Sequence, residues 1–139
     1  MAIATINPKK FRGTFGPVIF SGHGDDVISI EYPDDAFEVV RGADGQVTMV
    51  NKSVDDVMVT VTFKQSSPTN DQLSVIHKAD KLSGAGVFPL VFADGSGTTV
   101  LFADAARIVK APTVDFGNSA KDRVWTFHTG PCELHIGGN

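Results

Sequence analysis

The stretch VMVTVTF, residues 57–63, alternates apolar and small side chains without interruption. In an extended chain, successive side chains point to opposite faces. Val57, Val59, Val61 and Phe63 therefore share one face, and Met58, Thr60 and Thr62 share the other. Branched and aromatic side chains at this spacing suit a half-buried pleated strand. The same period recurs along the chain in VISIEY (27–32), in 37–40 and 46–50 around Ala43-Asp44-Gly45, and in FPLVFA (88–93) and TTVLFA (98–103) around Asp94-Gly95-Ser96-Gly97. ARIVK (106–110) and RVWTFHT (123–129) supply two late strands. In the second, Arg123, Trp125 and Phe127 share a face opposite Val124, Thr126 and His128. Short alternating runs separated by Gly-containing turns define a mainly β protein built from hairpins.

One segment breaks the period. In SSPTNDQLSVIHKADKLSG, Leu73, Ile76, Ala79 and Leu82 recur at helical spacing, and Gly84 follows them. The helix, about 67–83, starts either at Ser67 with Pro68 in its first turn or at Thr69 with Gln72 three residues on. Its apolar stripe covers a face or open end of the sheet.

At 139 residues and 42% hydrophobic content the chain suits one domain, 1–139, with the less regular ends, about 1–15 and 130–139, as an arm and a tail. The longest apolar run, residues 87–93, is far too short to span a bilayer as a helix, so no membrane segment is expected. A single cysteine, Cys132, leaves no disulfide framework within the chain, so packing or subunit association must supply stability. The net charge of −4 disfavours a nucleic-acid clamp. Its distribution is uneven: residues 1–24 hold Lys9, Lys10 and Arg12 with no acid, whereas residues 25–38 hold six acids with no base.

Catalytic signatures are missing. There is no phosphate loop of the Walker type and no nucleophile elbow, and SGAG follows a helix where a dinucleotide fingerprint follows a strand. HTGPCELH brings His128, Cys132, Glu133 and His135 within eight residues, but the spacing matches no common zinc module, and Pro131 prevents a helix from aligning them. Neither enzyme activity, nor a metal, nor a cofactor is expected.

Four stretches in order, YPDDAFEVVRGADGQVTMV, VTVTFKQSSPTNDQLSVIHKAD, GVFPLVFAD and PTVDFGNSAKDRVWTF, resemble the tail-tube proteins of contractile-tailed phages over roughly residues 20–128. The resemblance implies a two-sheet β-sandwich or small barrel with one flanking helix, an architecture shared with the haemolysin-coregulated protein of type VI secretion. It implies a virion structural protein, assembled in the host bacterial cytoplasm, whose homohexameric rings stack into a tube. Sheath, baseplate and tape-measure proteins would be its partners, and phage DNA would pass through the lumen without specific binding. The alternative is a ring that does not stack, such as a tube terminator or a secretion-system β protein. Under the tube reading Ser29, Glu31, Thr60, Thr62, Thr126 and His128 are expected to line the lumen, with acids outweighing bases and Lys64 as the exception. Lys9, Lys10, Arg12, Asp44, Gly45, Asn51, Asp55 and Asp56 are expected at contacts between subunits.

Overall fold

In the computed structural model, which describes residues 11–21, 23–95 and 97–138, the described chain forms ten strands and one helix. They run β1 (Phe11–Phe15), β2 (Val18–Ile19), β3 (His23–Glu31), β4 (Phe37–Arg41), β5 (Val47–Asn51), β6 (Met58–Phe63), α1 (Thr69–Ser83), β7 (Phe88–Asp94), β8 (Val100–Lys110), β9 (Arg123–Thr129) and β10 (Cys132–His135). Eight strands make one sheet in the order β2-β1-β7-β8-β9-β6-β3, with β10 also paired to β8; β4 and β5 make a separate two-stranded sheet.

The large sheet curls over on itself. Three strand spacings, roughly 14 Å in a flat sheet, separate β1 from β9, yet the Phe15 and Phe127 rings lie 5.0 Å apart. Phe20 bridges the fold, 5.4 Å from Phe63 and 5.8 Å from Phe127. The alternation of residues 57–63 meets this core as expected: Val57, Val59, Val61 and Phe63 are fully buried. Each such side chain contributes about 1.5–3 kcal/mol relative to exposure. The two packed layers are thus halves of one hydrogen-bonded sheet, and the second sheet is the hairpin alone.

Three local expectations change. TTVLFA and ARIVK are parts of one long strand, β8, which pairs with β10 through Val100–Ala103 and with β9 from Ala106 onward. The expected amino-terminal arm includes β1, which pairs with β7 along its whole length; residues 1–10 lie outside the described residues. The expected tail includes β10, a sheet strand in register with β8. In both cases a Gly-Pro pair, Gly16-Pro17 and Gly130-Pro131, turns the chain back into the sheet.

Helix α1 starts at Thr69 behind Pro68, and the Ser67 hydroxyl accepts the Thr69 amide at 3.3 Å. The Thr69 hydroxyl bonds Ser21 instead of capping the helix, tying α1 to the end of β2. Gly84 closes the helix in the left-handed conformation, φ 72°, its amide donating to the Asp80 carbonyl. Leu73 is buried and Ile76 packs against the core, but Leu82 is 89% exposed. The apolar stripe covers the sheet only along its first half.

Candidate functional site

Two surfaces stand out, a polar sheet face and an unsupported hairpin. On the face opposite the core, antiparallel register sets Ser29, Thr60 and Thr126 level across β3, β6 and β9. Glu31, Met58 and His128 form the next row, with Arg107 of β8 beyond His128. Directly opposed residues share a face, so five of the six residues expected on one wall are brought together in a band that is exposed or half-buried. Thr62 follows in the same file but is only 8% exposed. It stands opposite the irregular stretch of β3 between His23 and Ile28.

Two charged side chains on this face are paired, whereas Glu31 and Lys110, which is level with Thr126, are exposed and form no ion pair among the described residues. His128 Nε2 lies 2.6 Å from Asp56 Oδ2. That hydrogen bond, with help from the Asp56 backbone, holds the carboxyl below its ordinary value of 3.8. Asp56 therefore has a partner within its own subunit while its side chain stays partly exposed. Arg107 Nε donates to Asp80 Oδ2 of α1 at 2.8 Å, so the cation beside His128 is neutralised.

The hairpin forms a different kind of surface. Every residue of β4 and β5 is exposed, including Phe37, Val39, Val40, Val47, Met49 and Val50. Among the described residues the two strands pair only with each other. A lone two-stranded ribbon is marginal in water, and six large apolar side chains of this one lie exposed. Its turn is well specified. The Asp44 carboxylate accepts the Gln46 amide at 3.1 Å, Gly42 N–H donates to the Gln46 carbonyl at 2.8 Å, and Gly45 takes φ 87°. At its base Lys52 Nζ meets Asp34 at 3.7 Å, and the Asn51 side chain accepts the Ser53 amide at 2.9 Å.

The remaining expected contact residues scatter. Arg12 is exposed on β1 opposite Ala93, and Lys9 and Lys10 lie outside the described residues. The Asp55 carbonyl accepts the Cys132 amide at 3.0 Å and its thiol at 3.3 Å, clipping the loop after β5 to β10. His128 is engaged by Asp56, and the alternation of β10 separates Cys132 from His135. No group of three potential metal ligands converges among the described residues. Sequence reasoning missed the His128–Asp56 pair, which joins residues 72 apart, and Arg123, taken up below.

Fold and surfaces define a structural β protein with one face polar and one element unsupported. The chain belongs to the family described as Bacteriophage PhiTE tail tube protein, which it matches over residues 4–137. It is 32% identical over 117 residues to the structural protein ORF10 of Pseudomonas phage KPP10, covering 83% of this chain and 68% of that protein. Among solved structures, a chain of the sheath/tube terminator of an extracellular contractile injection system aligns with TM-score 0.66 at 12% identity, covering 98% of this chain and all of that one. A chain of the sheath-tube complex of such a system aligns with TM-score 0.59 at 12% identity, covering 94% and 91%. At these identities the structures show a shared fold. The protein is a structural component of the phage tail.

Proposed function

We propose that this chain is the repeating subunit of the tail tube, closing into hexameric rings that stack into a hollow conduit for DNA ejection. Its role is mechanical rather than catalytic. The hairpin β4–β5 carries the reading: an exposed apolar ribbon paired only with itself is unfavourable in an isolated subunit and gains support when it packs on a neighbour. Family membership supplies the context in which that neighbour is another copy.

The polar band of Ser29, Glu31, Thr60, Thr126 and His128, with Thr62 behind it, lines the lumen in this reading. DNA moving through a tube must not adhere, and each free cation on the wall would add a phosphate contact. On this band Arg107 is held by Asp80 and the small hydroxyl side chains present no fixed charge, while Lys110, level with Thr126, is an exposed cation offset by the exposed Glu31. Asp44 and Gly45 at the hairpin turn, Asn51 and Asp55 at its base, and the basic residues Lys9, Lys10 and Arg12 contribute contacts between copies. The tube's outer surface meets the sheath, its end meets the baseplate, and the tape-measure protein occupies the lumen during assembly in the host cytoplasm.

A second reading has its own support, because one aligned structure is a sheath/tube terminator. A terminator closes a ring without stacking. Electron microscopy of the purified protein separates the two: tubes support the repeating subunit, single rings support the terminator, and monomers at high concentration contradict both.

A further inference from the structure

The first residue of β9 is an arginine on the core face of the sheet. Arg123 is 8% exposed, and its Nη1 is shielded from solvent with no hydrogen-bond partner. No described carboxylate forms an ion pair with it; the pairs among the described residues are Lys52–Asp34, Arg107–Asp80 and His128–Asp56. Arg123 lines a cleft of about 160 Å³ together with Asn70 and Ser74 of α1, Pro112 and Val114 of the loop 111–122, and Trp125. Asn70 and Trp125 are already satisfied. The indole N–H donates to Asn70 Oδ1 at 3.0 Å, and Asn70 Nδ2 donates to the Lys64 carbonyl at 2.9 Å. Phe116 lies over the guanidinium at 5.7 Å and is itself 80% exposed.

A shielded cationic donor without a partner is costly, and it calls for an anion. A planar guanidinium fork matches a carboxylate. The exposed aromatic and aliphatic rim, Phe116 and Val114, calls for apolar contact around that carboxylate. This chain presents both on one segment. Asp35 and Glu38 flank the exposed Phe37, and neither acid forms an ion pair among the described residues.

Register gives the direction. Glu31, which leads into that segment, is level with Met58 and His128, whereas Arg123 is level with Phe63 at the other end of β6. Five residue steps, about 17 Å, separate the two levels. Donor and receptor thus sit toward opposite ends of the same strands, an arrangement suited to a head-to-tail contact that propagates.

We infer that the Arg123 cleft is a carboxylate receptor for the Asp35–Glu38 segment of a second copy, packed head to tail with Phe37 against Phe116. This rests on the assembly reading above and adds the site that receives the hairpin base. The test compares assembly of wild type, Arg123→Met, the double variant Asp35→Asn/Glu38→Gln, and all three substitutions together, by sedimentation and by emission of Trp125, the single tryptophan. Arg123→Met and the acid variant should each weaken association about 30-fold or more. Combining them should add little, because both remove one contact. The dissociated Arg123→Met subunit should melt no lower than wild type, since an unpaired buried charge is gone. The acid substitutions lie on an exposed hairpin and do not perturb the core, so they keep the test valid if Arg123→Met misfolds. Wild-type association that survives either change, or losses that multiply in the combination, overturns the contact alone. A wild type that stays monomeric overturns the assembly reading and the contact with it.

Discussion

Strands β6 and β4 are close in length and both rich in valine, yet their apolar side chains meet opposite fates. Val59, Val61 and Phe63 are fully buried, whereas Phe37, Val39 and Val40 lie open to solvent. The difference is in their partners. β6 is hydrogen-bonded on both sides, to β3 and β9, and packs under the Phe20 ring through Phe63; β4 has only β5 among the described strands. Apolar content therefore identifies what must be covered, and the topology identifies what the subunit covers by itself. The remainder is the surface that the subunit leaves uncovered, which the proposed assembly would cover.

The largest expected effect falls on β6. Phe63→Ala removes a fully buried ring and should cost about 3–5 kcal/mol in chemical denaturation of the dissociated subunit. Met49→Ala, on the hairpin at 67% exposure, should change that stability by less than about 0.5 kcal/mol. Equal losses for the two would erase the distinction between core strand and hairpin.

Gly45→Val probes the hairpin directly. Gly45 sits at φ 87° with open space around its Cα, so the penalty is backbone strain of about 1–2 kcal/mol rather than a clash. The strain falls on a ribbon with little stability of its own. Rings or tubes should be lost while the melting temperature of the subunit is unchanged. Normal polymerisation by this variant would show that the hairpin is not a contact element.

The smallest effect concerns acid. The hydrogen bond from His128 lowers the pKa of Asp56 in the folded chain, so the unfolded chain binds the proton more readily. The Asp56 contribution is complete above its ordinary value of 3.8 and is lost as pH falls through the lower folded value. Asp56→Asn should flatten that limb of a melting-temperature profile and leave neutral pH almost unaffected. An unchanged acid limb would mean that the pair does not form in solution.

The legible part of this fold follows from period two. The faces of β6 and β9 were readable from VMVTVTF and RVWTFHT because alternation fixes facing once a strand is granted, and the polar band follows from those faces. β1 and β10 were not read, since the runs FRGTF and CELH are short and join the sheet through pairing with distant β7 and β8. Their available signal was the Gly-Pro pair beside each. The stripe of α1 was readable but its coverage was not. Helical spacing cannot tell that Leu73 meets the core while Leu82 extends past it. Alternation puts Arg123 on the face of Trp125 and Phe127, but that this arginine is buried without an anion depends on the loop 111–122 and α1 closing around it and is not legible in the sequence.

Amide hydrogen exchange of the hairpin, before and after assembly, tests the central claim most directly. In the dissociated subunit the amides that pair β4 with β5 should exchange much faster than those of β6, because no other described strand pairs with the ribbon. In assembled material they should become protected to a degree approaching β6. Protection already present in the dissociated subunit, or fast exchange that persists in assembled rings or tubes, would contradict the account.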